Sequence, residues 1–189
     1  GRMMPIEHAT HRIGAAVPVA GSLTVHNPFD RRPIATVDTV DGDGVELALA
    51  VADTAFRDRD RWLADFRRME ILRRAAELLS GRAEEFSLLI AREGGKPLVD
   101  ARIEVARAID GLHCCAELPR LEGGREVPMR ASSAGQGRLA FTTHEPIGPV
   151  VAISAFNHPL NLIVHQVAPA VAAGCPVIVK PAEDTPLSC

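Results

Sequence analysis

The stretch that decides the fold is Val150-Val151-Ala152-Ile153-Ser154-Ala155-Phe156-Asn157-His158-Pro159-Leu160, with its continuation Gly174-Cys175-Pro176-Val177-Ile178-Val179-Lys180-Pro181-Ala182-Glu183. Val150 to Ser154 is an unbroken apolar run, the pattern of a buried parallel strand. Asn157-His158-Pro159 supplies a turn. Leu160, Val164, Val167 and Val171 then recur at helical spacing as far as Ala173. Gly174 closes that helix, and Pro176 to Val179 form a second apolar strand. Strand, helix and strand in this order make a βαβ unit, which implies a parallel sheet with a right-handed crossover. Ligands of such sheets sit beyond the carboxyl ends of the strands.

Two strand ends therefore carry the candidate chemistry, and parallel strands deliver both to one edge. An asparagine amide at Asn157 can donate to a developing oxyanion. Lys180 and Glu183 can respectively donate to and accept from the two hydroxyls of a ribose. The same residues admit a plainer reading, in which Asn157 caps the following helix and Lys180 and Glu183 form a surface ion pair. Spacing alone leaves both readings open.

Upstream, Leu23 to His26 and Ile34 to Val37 are β-prone stretches around the turn Asn27-Pro28-Phe29-Asp30, a small hairpin. Four helical stripes follow. Val45, Ala48, Leu49, Ala52 and Phe56 form the first; Ile71, Leu72, Ala75, Leu78 and Leu79 the second. Phe86, Leu89 and Ile90 form the third, closed by Gly94-Gly95. Val99, Ile103, Ala106 and Ile109 begin a fourth that runs to about residue 118. Arg and Glu fill the outer faces, so the helices need a sheet or another helical layer to pack on. Val127 to His144 changes pattern again, with two β-compatible segments flanking a flexible tip at Ser132 to Gly137.

Composition narrows the function classes. A chain of 189 residues is long enough to bury a core without metals or disulfides. A formal net charge of −3 gives no electrostatic case for nucleic acid or a membrane surface. Cys114, Cys115, Cys175 and Cys189 show neither a CxxC pattern nor histidines at zinc-ligand spacing. His158 and His165 are not four apart, so no helical metal pair is expected. A reducing cytosol fits this cysteine usage.

Several linked motifs carry a resemblance. Glu145-Pro146-Ile147-Gly148 opens the strand that ends in Phe156-Asn157-His158-Pro159-Leu160. Ala168-Pro169-Ala170-Val171-Ala172-Ala173-Gly174 leads to Lys180-Pro181-Ala182-Glu183, and Thr185-Pro186-Leu187-Ser188 follows. Glu93-Gly94-Gly95-Lys96-Pro97-Leu98 stands before a helix, and Asn27-Pro28 sits in the early hairpin. Taken together, in order over roughly residues 21–189, these resemble the N-terminal, cofactor-binding part of NAD(P)-dependent aldehyde dehydrogenases.

The resemblance implies an α/β fold: a partial Rossmann-like parallel sheet with an N-terminal helical layer and a protruding β-hairpin arm. It assigns 21–126 and 147–189 to a partial cofactor-binding domain and 127–146 to an oligomerisation hairpin; residues 1–20, which carry no strong period, read as a weakly ordered lead. It makes Asn157 the catalytic oxyanion-hole residue. Lys180 and Glu183, on the segment Lys180-Pro181-Ala182-Glu183, would meet the adenosine ribose; Ile153, Ser154, Ala155 and Phe156 would line the nicotinamide half of the site. The implied cofactor is NAD, with NADP as the alternative, because a glutamate at 183 would repel a 2′-phosphate. The implied partners are a small aldehyde substrate and further copies of the chain, a dimer or tetramer, with no nucleic acid, membrane or metal.

The departures from the family pattern shape the expectation equally. Relatives are more than twice as long, and their glycine-rich cofactor turn, general-base glutamate and nucleophilic cysteine lie downstream of the Thr-Pro-Leu-Ser motif. None of the four cysteines here reads as a substitute, so the 189-residue chain by itself is expected to be inactive and to bind NAD weakly or not at all. His158 stands where many relatives have Phe, and either touches substrate or packs. Gly135-x-Gly137-x-x-Ala140 imitates a dinucleotide fingerprint but leads into a strand, which contradicts that motif's mechanism. Two other readings stand beside an aldehyde-oxidising enzyme: a non-enzymatic binding or assembly module, and a CoA-acylating aldehyde dehydrogenase.

Overall fold

A βαβ unit anchors the computed structural model, which describes residues 7–10, 17–121 and 123–189. Strand β6 (Val150–Ile153) is followed by helix α5 (Pro159–Ala173) and strand β7 (Val177–Lys180). The two strands pair in parallel, with Val150 opposite Val177 and Ile153 opposite Lys180. Pro159 sits at the first helical position, where its missing N–H costs nothing. Gly174 ends the helix in the left-handed region at φ 82°, a conformation that glycine adopts without strain.

Four helices precede this unit: α1 (Gly42–Arg57), α2 (Asp65–Gly81), α3 (Ala83–Gly94) and α4 (Leu98–Leu121). Asp41 caps α1, its carboxylate accepting from Gly44 N at 3.0 Å. The main core lies between α2, α4 and α5, with Leu72, Ala76, Val105, Ala108, Leu160, Val164 and Ala168 in contact. The helical layer thus packs chiefly on the crossover helix.

Strand β1 (Glu7–Ala9) pairs in parallel with β3 (Pro33–Thr39), and β3 pairs antiparallel with β2 (Gly21–His26), giving the expected hairpin. Of the proposed lead, residues 1–6 and 11–16 lie outside the described residues; Glu7–Ala9 form an edge strand. The later hairpin is shorter than its pattern suggested: β4 (Glu126–Val127) pairs with β5 (Ala140–Phe141) over two residues each. A single 3₁₀ turn, Ser133–Gly135, occupies its tip.

Two expectations about burial are corrected. The stripe Val99, Ile103, Ala106 and Ile109 does not form the core face of α4; Val99 and Ile103 are 63% and 55% exposed. The buried face is Ala101, Glu104, Val105, Ala108, Leu112 and Ala116. Small side chains on that face let the backbones of neighbouring helices approach closely, so size outweighed hydrophobicity. Strand β6 is likewise not buried on both faces. Ala152 is fully covered, but Val151 and Ile153, on the face away from it, are 54% and 64% exposed.

Candidate functional site

The parallel register brings the two strand ends to one rim. Ser154 N donates to Lys180 O at 3.0 Å, extending the ladder one residue past β6. Beyond it, Phe156, Asn157 and His158 face Glu183, Asp184 and Thr185 across a cleft of about 870 Å³ that also touches Lys96 and Glu104. Thr185 Oγ1 donates to Phe156 O at 3.1 Å and ties the two strand-end loops together.

Asn157 is exposed and does not cap α5. The N-cap position is His158, whose side chain makes no capping bond. The open N–H groups of the first turn go instead to Glu104, 1% exposed on α4: its Oε1 accepts from Leu160 N at 3.0 Å and from Asn161 N at 3.1 Å. Its Oε2 pairs with Lys96 Nζ and lies 3.5 Å from His158 Nδ1. Lys96 Nζ and His158 Nδ1 are 3.0 Å apart, so His158 is engaged in a polar network. An unpaired buried carboxylate is costly, and here every oxygen is matched.

The ion pair foreseen at the second strand end is present, with Lys180 Nζ 3.7 Å from Glu183 Oε1. Both side chains are well exposed, so the pair contributes little to stability and a ligand can break it at small cost. Of the four positions from Ile153 to Phe156, the Ile153 and Phe156 side chains stand in solvent. Ser154 is buried, its hydroxyl donating to Pro159 O at 3.4 Å, and Ile153 O accepts from Gln166 Nε2 at 3.0 Å. Pro181 and Ala182 are half-buried between Lys180 and Glu183.

A second buried carboxylate, Glu93, closes the back of the cleft. It is 2% exposed and accepts from Leu187 N at 2.8 Å, from Ser188 N at 2.9 Å, and from the Ser188 hydroxyl. Burial pushes its carboxyl above the ordinary range despite the Ser188 and Leu187 donors, and the nearby Glu104 charge adds to the rise. Glu93, Glu104, Lys96 and Thr185 are the residues that spacing did not single out as functional. Their partners mostly lie far away in sequence, and no local pattern marks them.

All four cysteines are free. Burial pushes the Cys115 thiol up, with Cys114 adding to the effect, and burial pushes up Cys189 as well. A raised thiol holds less thiolate, the reverse of what a nucleophile needs. Among the described residues there is no cluster of three metal-ligating side chains, and no helix is long and apolar enough to cross a membrane.

Comparison with known proteins gives consistent neighbours. The sequence profile of the aldehyde dehydrogenase family matches residues 17–189. The 3-sulfolactaldehyde dehydrogenase of Priestia megaterium is 38% identical over 168 residues, covering 89% of this chain and 35% of the relative. Aldehyde dehydrogenase 21 from Physcomitrella patens, solved with the reaction product succinate, superposes with a TM-score of 0.86 at 31% identity, over 97% of this chain and 38% of that one. The NADP-dependent glyceraldehyde-3-phosphate dehydrogenase of Bacillus halodurans C-125, solved with NADP, gives 0.83 at 28% identity, over 89% and 36%. The chain thus spans little more than a third of the length of the relatives it matches.

Proposed function

Because this chain belongs to the aldehyde dehydrogenase family, we propose that its protein oxidises an aldehyde to a carboxylic acid with NAD(P)+, and that this segment supplies the oxyanion donor and the ribose edge. The observation that carries the reading is the shared rim: Asn157 and Glu183 face one cleft because β6 and β7 run parallel. In the family's chemistry a cysteine attacks the aldehyde, and the resulting oxyanion needs a donor in place before charge develops. The Asn157 amide is exposed, spends nothing on capping α5, and stands on a turn anchored on both sides. Its backbone is thus held on both sides while its amide is left to donate.

The exposed Lys180–Glu183 couple suits a ribose, one group donating and the other accepting. NAD or NADP supplies the hydride acceptor when bound. Glu183 disfavours a 2′-phosphate by like charge, so we assign NAD as the cofactor, with NADP the alternative that the Bacillus halodurans relative uses. The nucleophile and the general base belong to the part of the family fold beyond this segment, and the 189 residues alone are taken to be inactive. The substrate is read as a small polar aldehyde, in keeping with the sulfolactaldehyde named for the Priestia relative. The protein is assigned to the cytosol and to a homo-oligomer whose contacts include the arm at 127–146.

In the protein at the family's full length, Asn157→Ala is expected to lower kcat on the order of 10²–10³-fold, the usual cost of one oxyanion donor. NAD affinity, read by fluorescence titration, should stay within about twofold, since uniform binding is not what that amide supplies. Unchanged turnover would remove Asn157 from the mechanism. A thioester product formed only with CoA present would favour the acylating alternative.

A further inference from the structure

We infer that Glu104 is a positioning residue for Asn157, acting through the first turn of α5. The inference rests on the reading of Asn157 as oxyanion donor. Glu104 lies on the buried face of α4, 53 positions before the residue it serves, and its side chain is fully out of water. One oxygen accepts both Leu160 N and Asn161 N; the other takes Lys96 Nζ and faces His158 Nδ1. The carboxylate therefore grips residues 160 and 161 directly and reaches His158 through Lys96, just after Asn157. On the other side, Thr185 holds the Phe156 carbonyl. Asn157 lies in the short turn between these two anchors.

Three features argue that the anchor serves geometry as well as stability. First, a helix start is ordinarily capped by its own N-cap side chain, which a local Ser or Asp would provide; here His158 makes no capping bond and a distant buried charge does the work. Second, Lys96 neutralises that charge from the Gly94-Gly95 turn, where Gly95 holds φ 68° and a Cβ would meet Pro28 Cγ at 2.8 Å. The Lys96 side chain is itself largely buried between Glu104 and His158. Third, an oxyanion donor must be held to a fraction of an ångström, which requires rigid support behind it. A carboxylate suits the role because it offers acceptors to donors on two sides, whereas an amide offers one acceptor.

The test compares Glu104→Gln, Asn157→Ala and the double variant in the protein at the family's full length. Each is checked for folding by circular dichroism before its kcat, aldehyde KM and NAD affinity are measured. Gln keeps the volume and one acceptor, so this variant stays assessable where Glu104→Ala would fail to fold. Glu104→Gln should lower kcat about tenfold or more, with aldehyde KM and NAD affinity within about twofold, the pattern of a lost transition-state contact. In the Asn157→Ala background the same change should cost less than about threefold, because coupled residues are not additive. An unchanged kcat in Glu104→Gln, or the full loss repeated without Asn157, overturns the positioning role. Unchanged turnover in Asn157→Ala alone is a separate result, which overturns the oxyanion reading on which this one stands.

Discussion

Glu93 carries a carboxylate almost wholly out of water and uses it to hold Leu187 and Ser188. Burial holds its carboxyl above the ordinary glutamate range. The folded state therefore keeps that proton to a higher pH than the unfolded chain does. Where the folded state binds more protons, stability falls as pH rises, so the Glu93 contribution should decline from just below the ordinary glutamate range through the raised value. Thermal unfolding of wild type and Glu93→Gln across acidic to neutral pH checks this. The wild type should lose stability relative to the variant with rising pH, and a gap that widens the other way would refute it. At this scale the sequence was partly legible. Asn157, Lys180 and Glu183 could be placed at or just beyond strand ends because those ends are marked by apolar runs that stop. Glu93 and Glu104 could not, because a glutamate on an amphipathic helix reads as solvated until a partner many residues away is known. Asn161 Oδ1 is buried and finds no hydrogen-bond partner among the described residues.

Helix α5 shows what an element gains from its neighbours. Its first turn is satisfied by Glu104 from α4, and near its last turn Arg68 Nε from α2 donates to Ala172 O at 3.0 Å. Arg68 also reaches Leu63 O and Asp65, and its side chain is largely buried. Arg68→Met keeps the apolar stem but leaves the Ala172 carbonyl unmatched, at a cost of about 1–3 kcal/mol. Urea unfolding would read that loss; a change below about 0.5 kcal/mol would mean that water replaces the guanidinium. The positions of the helices followed from periodicity, because 3.6-residue spacing and Gly or Asp boundaries are local properties. The buried face of α4 did not, because close packing of alanines on α5 and α2 overrode the larger Val99 and Ile103.

For the whole molecule, exposed apolar groups lie where further protein would be expected. Val151, Ile153 and Phe156 are exposed on or just beyond β6, and Leu139 and Phe141, 78% and 68% exposed, stand at the short β4–β5 pairing. Large exposed hydrophobics grouped on a strand edge favour association. Replacing both Leu139 and Phe141 with Asp in the full-length protein should therefore lower the oligomer mass measured by light scattering, and an unchanged mass would take the arm out of the assembly. What the sequence determined by itself was the order of elements, the parallel βαβ unit and the two strand-end motifs, since periodicity, turn chemistry and motif spacing act over a few residues. Tertiary structure decided which helix faces are buried, which carboxylates are drawn into the interior, and how Thr185, Lys96 and Glu104 anchor the Asn157 turn. Those outcomes depend on close packing and on pairing buried charges between segments far apart in the chain, and no local pattern records such distances.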